Sequence, residues 1–181
     1  LVINKFSGNN ILIGNVNLNI ESNEGLDYYE MSMNVVKENN ITLDLRGNFK
    51  IEDYDFPIDL DLKSKNFDIS PFSAIGEDVL KNIEGLFNSN IQISGTLKKP
   101  ELNGFIQANK SRFDVPYLGI GFSFIDNPKF IIDDYDIVID KFNIEDKDLK
   151  TVGIMDGIIS HNRFKDWFLD FEISSDNLLA L

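Results

Sequence analysis

Alternation of apolar and polar residues at a period of two constrains this chain more than any other feature. In "ITLDLRGNFKIE", Ile41, Leu43, Leu45, Phe49 and Ile51 fall on one face of an extended strand, and Thr42, Asp44, Arg46, Asn48, Lys50 and Glu52 fall on the other. The same pattern sets Val16, Leu18 and Ile20 against Asn15, Asn17 and Asn19, and Phe56, Ile58, Leu60 and Leu62 against Asp59, Asp61 and Lys63. It returns with Phe87, Ile91, Ile93 and Leu97 opposite Asn88, Asn90, Gln92, Ser94 and Thr96. Strands that are apolar on one face only belong to antiparallel sheets, whereas a parallel sheet covered on both faces reads as continuous apolar runs. Turn-forming clusters punctuate the strands, among them Ser22-Asn23-Glu24-Gly25, Glu38-Asn39-Asn40, Lys98-Lys99-Pro100 and Asp126-Asn127-Pro128. The fold class expected is mainly β, an antiparallel-rich sheet.

One segment departs from the period. Phe72, Ile75, Val79, Leu80 and Ile83 fall at helical spacing, with Ser70 as N-cap, Pro71 at the first position and Gly85 at the end. The pattern predicts one short amphipathic helix over about residues 71–84, which the interior Gly76 weakens and packing against the sheet must hold. Residues 46–67 and 156–178 also echo each other as hairpins. Gly47, Leu60, Leu62, Ser64 and Asn66 correspond to Gly157, Phe171, Ile173, Ser175 and Asn177, so a sheet that grows by repeated hairpins is one reading.

Chemistry-bearing motifs are sparse. His161 is the single histidine, which rules out a histidine-based triad and a two-histidine zinc site, and its setting in "SHNRFKDW" reads as a turn or surface residue. The serines lack a glycine-flanked nucleophile elbow, and the glycines form neither a dinucleotide fingerprint nor a phosphate loop. Acidic residues crowd at Asp133, Asp134, Asp136, Asp140, Glu145, Asp146 and Asp148, but not at the spacing of an EF-hand, and they read as solvated turns and a polar strand face. No cysteine is present, so disulfides and thiolate chemistry are excluded. A net charge of −13 repels nucleic acid, which is not expected as a partner. The apolar runs are far shorter than the roughly 20 residues of a membrane-spanning helix. The chain starts at Leu1-Val2-Ile3 and stops within an apolar pattern at Leu181, and residues 1–181 are expected to be one β-rich segment of a longer repetitive protein.

Fifteen phenylalanines, five tyrosines and a tryptophan supply more apolar face than one short helix covers. Phe113, Val115 and Tyr117 alternate, as do Ile120, Phe122 and Phe124 after Gly119, and Trp167, Leu169, Phe171 and Ile173 near the end. Such stripes either close on each other as a dry core or line an open groove.

The stretch "ISGTLKKPELNGFIQANKSRFDVPYLGIGFSF", with its "GT-L-x-x-P-x-L-x-G" turn, resembles the recurring unit of the TamB family of translocation and assembly module proteins, in the AsmA-like group of envelope proteins. The later "GIISHNRFKDWFLDFEISSDNLLAL" is similar to another segment of the same family as found in Bacteroidetes-type members. Together they cover Ile91 to Leu181. The resemblance implies a long sheet curved into a taco-like groove, apolar inside and polar outside, held in the periplasm by an inner-membrane anchor outside this segment. It implies no catalytic residue and no cofactor. On this reading Ile91, Ile93, Leu97, Phe113 and Val115 line the groove, followed by Ile120, Phe122, Trp167, Leu169 and Phe171, with Gly95, Pro100 and Gly104 as the bend. The partners implied are phospholipid acyl chains and, through regions outside this segment, an outer-membrane barrel protein. The alternative is a scaffold that assists assembly of outer-membrane or secreted β-proteins by strand augmentation.

Overall fold

The computed structural model describes residues 1–25, 27–51, 56–73, 81–162 and 165–175. They form one 12-stranded, wholly antiparallel sheet. Its first half comprises β1 (Val2–Gly8), β2 (Ile11–Ser22), β3 (Tyr28–Lys37), β4 (Asn40–Lys50) and β5 (Ile58–Asp68). The second comprises β6 (Lys81–Thr96), β7 (Lys99–Val115), β8 (Ile120–Phe124), β9 (Lys129–Asp133), β10 (Asp136–Asp146), β11 (Val152–Asn162) and β12 (Lys165–Ser174). Strands adjacent in sequence are adjacent in the sheet, except that β8 and β9 share one slot between β7 and β10. β8 pairs with the end of β7 and β9 with its beginning, and both pair with β10. They are one strand broken at residues 125–128, where Ile125 donates to Asn143 and Pro128 accepts from Ala108.

Asparagine-rich two-residue turns make this meander. Asn9 and Asn10 close β1–β2, and Glu38 and Asn39 close β3–β4, all with φ between 49° and 63°. Positive φ at both central positions is the type I′ geometry, whose twist matches that of the flanking strands.

The register aligns the alternation across the whole sheet. One inner row runs Leu18, Met33, Leu45, Leu62 and Ile91 through β2–β6, then Gly104, Ile132, Ile137, Ile159 and Leu169 through β7 and β9–β12. Every member is aliphatic or glycine, so one face is apolar from β2 to β12.

The expected helix is corrected by the structure. Ser70–Phe72 form a single 3-10 turn, with Ile69 rather than Ser70 at the N-cap position, and Lys81–Glu84 already belong to β6. Residues 74–80 lie outside the described residues. Ile83 sits at helical spacing from Val79 but also two residues before Gly85 and four before Phe87, and pairing with β7 selects the period of two.

The sheet is strongly curled. Asn9 at the tip of β1–β2 donates to the Pro71 carbonyl at 3.0 Å, and Gly8 also lies against Pro71, which follows β5. In a flat sheet β2 and β5 would stand about 14 Å apart, so the hairpin tip folds inward over the buried Pro71. Inner-face glycines permit the bend. A Cβ on Gly47, Gly104 or Gly157 would collide with the carbonyl of Asp59, Asn90 or Asp170 on the next strand, and each glycine holds φ between 146° and 151°. Gly47 and Gly157, at corresponding places in the two similar hairpins, pair with the corresponding residues Leu60 and Phe171.

Candidate functional site

The curl turns the inner face of β6–β12 into a trough. A cavity of about 190 Å³ is lined at one side by Ile69, Ile83 and Phe87 and at the other by Leu169 and Phe171 of β12. Between them Ile106 and Phe113 of β7, Phe124 and Phe130 of the broken strand, Ile137 and Ile139 of β10, and Met155 and Ile159 of β11 complete the wall. β6 and β12 would be about 24 Å apart in a flat sheet, and only curling brings both onto one small cavity.

Below the trough the face is closed. Phe113, Val115, Phe122, Ile139, Phe142, Ile144 and Met155 pack as one cluster, with Phe122 and Ile144 fully buried. Phe124 meets Phe113, Phe130 and Phe142 at centroid distances of 5.1, 5.6 and 6.0 Å, the last two edge-on, and Phe130 meets Phe142 edge-on at 4.8 Å.

The residues expected to line a groove therefore separate into groups. Ile91 is buried and Ile93 half-buried on the inner face of β6. Leu169 and Phe171 line the cavity, while Trp167 precedes them on the same face, edge-on to His161 at 5.0 Å. Phe113 pairs with Phe122 and Val115 with Ile120. Of these, Phe113 reaches the cavity wall, and Val115 and Phe122 are corrected from groove to core because facing rings fill the space above them. Leu97 is also corrected: it stands in the two-residue turn between β6 and β7 and is 66% exposed, since the alternation ran on past the strand end. At the bend, Gly95 pairs with Pro100 at φ 81°, and Gly104 carries the close approach described above. Ile137, Ile139 and Met155 were not anticipated; the alternation in "DIVIDKF" is the signal that marks the first two.

Polar groups at the trough are few. Ser111 is buried, and its Oγ has no hydrogen-bond partner among the described residues. Arg112, on the cavity rim, pairs with Glu84 at 2.6 Å, which raises its pKa above the ordinary value. His161, expected at a surface or turn, is instead 7% exposed between Tyr135 and Trp167. Burial pushes its pKa down, against the pull of Asp134 and Asp136. Burial together with Glu101 and Asp133 pushes the Asp134 carboxyl up. Asp146 Oδ1 serves a turn, accepting the amides of Asp148 and Leu149, both at 2.7 Å, and Asp136 accepts from the Ser160 hydroxyl on the paired strand. Among the described residues no group of three or more acidic, histidine or cysteine side chains is arranged to hold a metal ion.

Comparison with protein-family models, curated proteins and solved structures finds no match.

Proposed function

We propose that this chain is a non-enzymatic, periplasmic component of outer-membrane biogenesis that shields phospholipid acyl chains passing between the two membranes, as its resemblance to the TamB family suggests. The observation that carries the reading is the apolar inner row from Leu18 to Leu169, which opens in β6–β12 into a cavity lined almost wholly by aliphatic and aromatic side chains. At about 190 Å³ that cavity is smaller than the roughly 300–1,000 Å³ of drug-sized sites, so it takes a stretch of chain rather than a whole lipid. Each methylene transferred from water contributes about 0.8 kcal/mol without any headgroup contact.

Photo-crosslinking tests the reading. A crosslinking amino acid at Leu169 or Phe171, in the intact protein in cells, is expected to yield phospholipid adducts, and none at the outward, exposed Asn90. Folded protein without adducts at either inner position would sink it.

A second reading, strand augmentation, is favoured by β1. This strand ends the sheet among the described residues and exposes Val2 (63%), Ile3 (39%) and Phe6 (42%). On that reading Asn4→Pro blocks client binding and leaves lipid crosslinking intact.

A further inference from the structure

The trough has two unlike ends. At one, His161 of β11 stands edge-on to Tyr135 at 6.2 Å and to Trp167 of β12 at 5.0 Å. Tyr135, His161 and Trp167 each come two residues, about 7 Å of extended chain, from Ile137, Ile159 and Leu169, with which the cavity wall begins. Those three aliphatic residues lie side by side in the register, so the rings form a layer beside one mouth of the cavity. The layer is partly wet, with Trp167 half-buried and Tyr135 36% exposed. Tyrosine and tryptophan suit such a boundary, since each joins an apolar body to a polar tip.

The other end is blocked. Phe113 and Phe124, with ring centres 5.1 Å apart, close the wall there, and behind them Val115, Phe122 and Ile144 are buried. Ile69 joins them from the chain after β5, its amide donating to the Gly85 carbonyl at 3.3 Å. Volume then sets how much fits. An apolar cavity of about 150 Å³ takes benzene, with its six carbons, so one of about 190 Å³ holds about eight carbons of a single chain.

Charge at the ring layer has one sign. Asp134, between β9 and β10, faces Glu101, Asp133 and Asp136, with His161 the basic group beside it. Its buried Oδ1 has no hydrogen-bond partner among the described residues. Carboxylates so placed repel an anionic headgroup and admit an uncharged or cationic one. We propose, resting on the acyl-shielding reading above, that the cavity is a terminal site for the methyl end of one alkyl chain. Phe113 and Phe124 are its stop, and an uncharged or cationic polar end lies at Tyr135, His161 and Trp167. A chain is then held here by its end and does not thread past the phenylalanines.

The test titrates the 181-residue chain with 1-alkanols of about four to eleven carbons by isothermal titration calorimetry. Affinity is expected to rise about 4-fold per methylene and to level off at about eight carbons. Phe124→Leu removes carbons from the stop and should move the plateau about two to three carbons longer; Phe113→Leu is the second variant should the first fail to fold. Octanoate is expected to bind at least ~10-fold more weakly than octanol, and Asp134→Asn to narrow that gap without moving the plateau. A rise that continues unbroken to the longest alkanol, or a plateau that stays in place in both variants, overturns the terminal site and leaves the shielding reading standing. Octanoate binding as tightly as octanol overturns the placement of the polar end at the carboxylates. No binding of any alkanol overturns the terminal site and the shielding reading together.

Discussion

Strands β2–β5 and β7–β11 share an inner pattern and differ in what stands on it. In β2–β5 the inner side chains are mostly aliphatic; Val35 and Leu60 are buried, but Leu18, Met33, Leu45 and Leu62 along the inner row stay half-buried. The aromatic contacts described there are the stack of Tyr29 on Phe49 at 4.9 Å near the strand ends and the tilted pair of Phe67 with Phe72 at 6.0 Å. In β7–β11 the inner positions hold Phe113, Phe122, Phe124, Phe130 and Phe142, which reach across the trough and bury the row beneath them. Backbone alternation builds both halves alike; side-chain reach determines which half closes.

The largest expected effect follows from that difference. Phe122→Ala, at a fully buried ring, should cost about 3–5 kcal/mol in urea unfolding. Met33→Ala, on the same face in the half that stays open, should cost about 1–2 kcal/mol because its site is already partly hydrated. Equal costs would mean the first half packs as tightly as the second and would break the comparison.

Curvature, by contrast, is common to the two halves. Gly47→Ala and Gly157→Ala each drive a Cβ into the neighbouring strand's backbone at a φ that L-residues avoid, and each should cost about 2 kcal/mol. Gly119→Ala is the control, since a Cβ there meets no atom within 4 Å and only its φ of 66° opposes it, at about 1 kcal/mol. Thermal unfolding of the three variants checks the order. A tolerated Gly47→Ala alongside a costly Gly157→Ala would place the tight curl in the second half alone.

These contrasts also explain what the sequence disclosed. Alternation was readable wherever it ran unbroken, as from Leu43 to Phe49, because period two leaves one choice of face. It failed at bulges. Asn66, Lys110 and Lys141 hold φ near 50° inside strands, and no property of a lysine announces that geometry. Leu97 was misplaced because its apolar character continued through a turn, and the helix was anticipated because Val79 and Ile83, four residues apart, satisfy both periods, and for Ile83 the pairing of β6 with β7 decides. The outward Phe105, Ile131, Val138 and Ile158 escaped notice because each adjoins an inward apolar residue in a run such as "FI", "FII" or "IVI", where the sequence does not say which residue faces inward.

The smallest effect is electrostatic and again separates the halves. Burial depresses the pKa of His161, in β11, below its ordinary 6.5, although Asp134 and Asp136 pull it upward. The unfolded chain therefore takes up this proton at a higher pH than the folded one does. Stability is complete above about pH 6.5 and falls as pH drops toward the folded pKa, by at most about 1.4 kcal/mol per unit. Asp134 has the opposite sign: its carboxyl is raised above 3.8 by burial, so its protonation at lower pH restores part of the loss. In the first half, Asp68 is depressed below 3.8, the Ser70 amide and Lys37 outweighing its burial, so its contribution is lost only as pH falls beneath that value. Hydrogen exchange between about pH 7.5 and 5.5, corrected for intrinsic rates, should thus show β11 and β12 loosening while β2–β4 hold. His161→Gln should remove the pH dependence of β11, and a dependence that survives the substitution would assign it to another group.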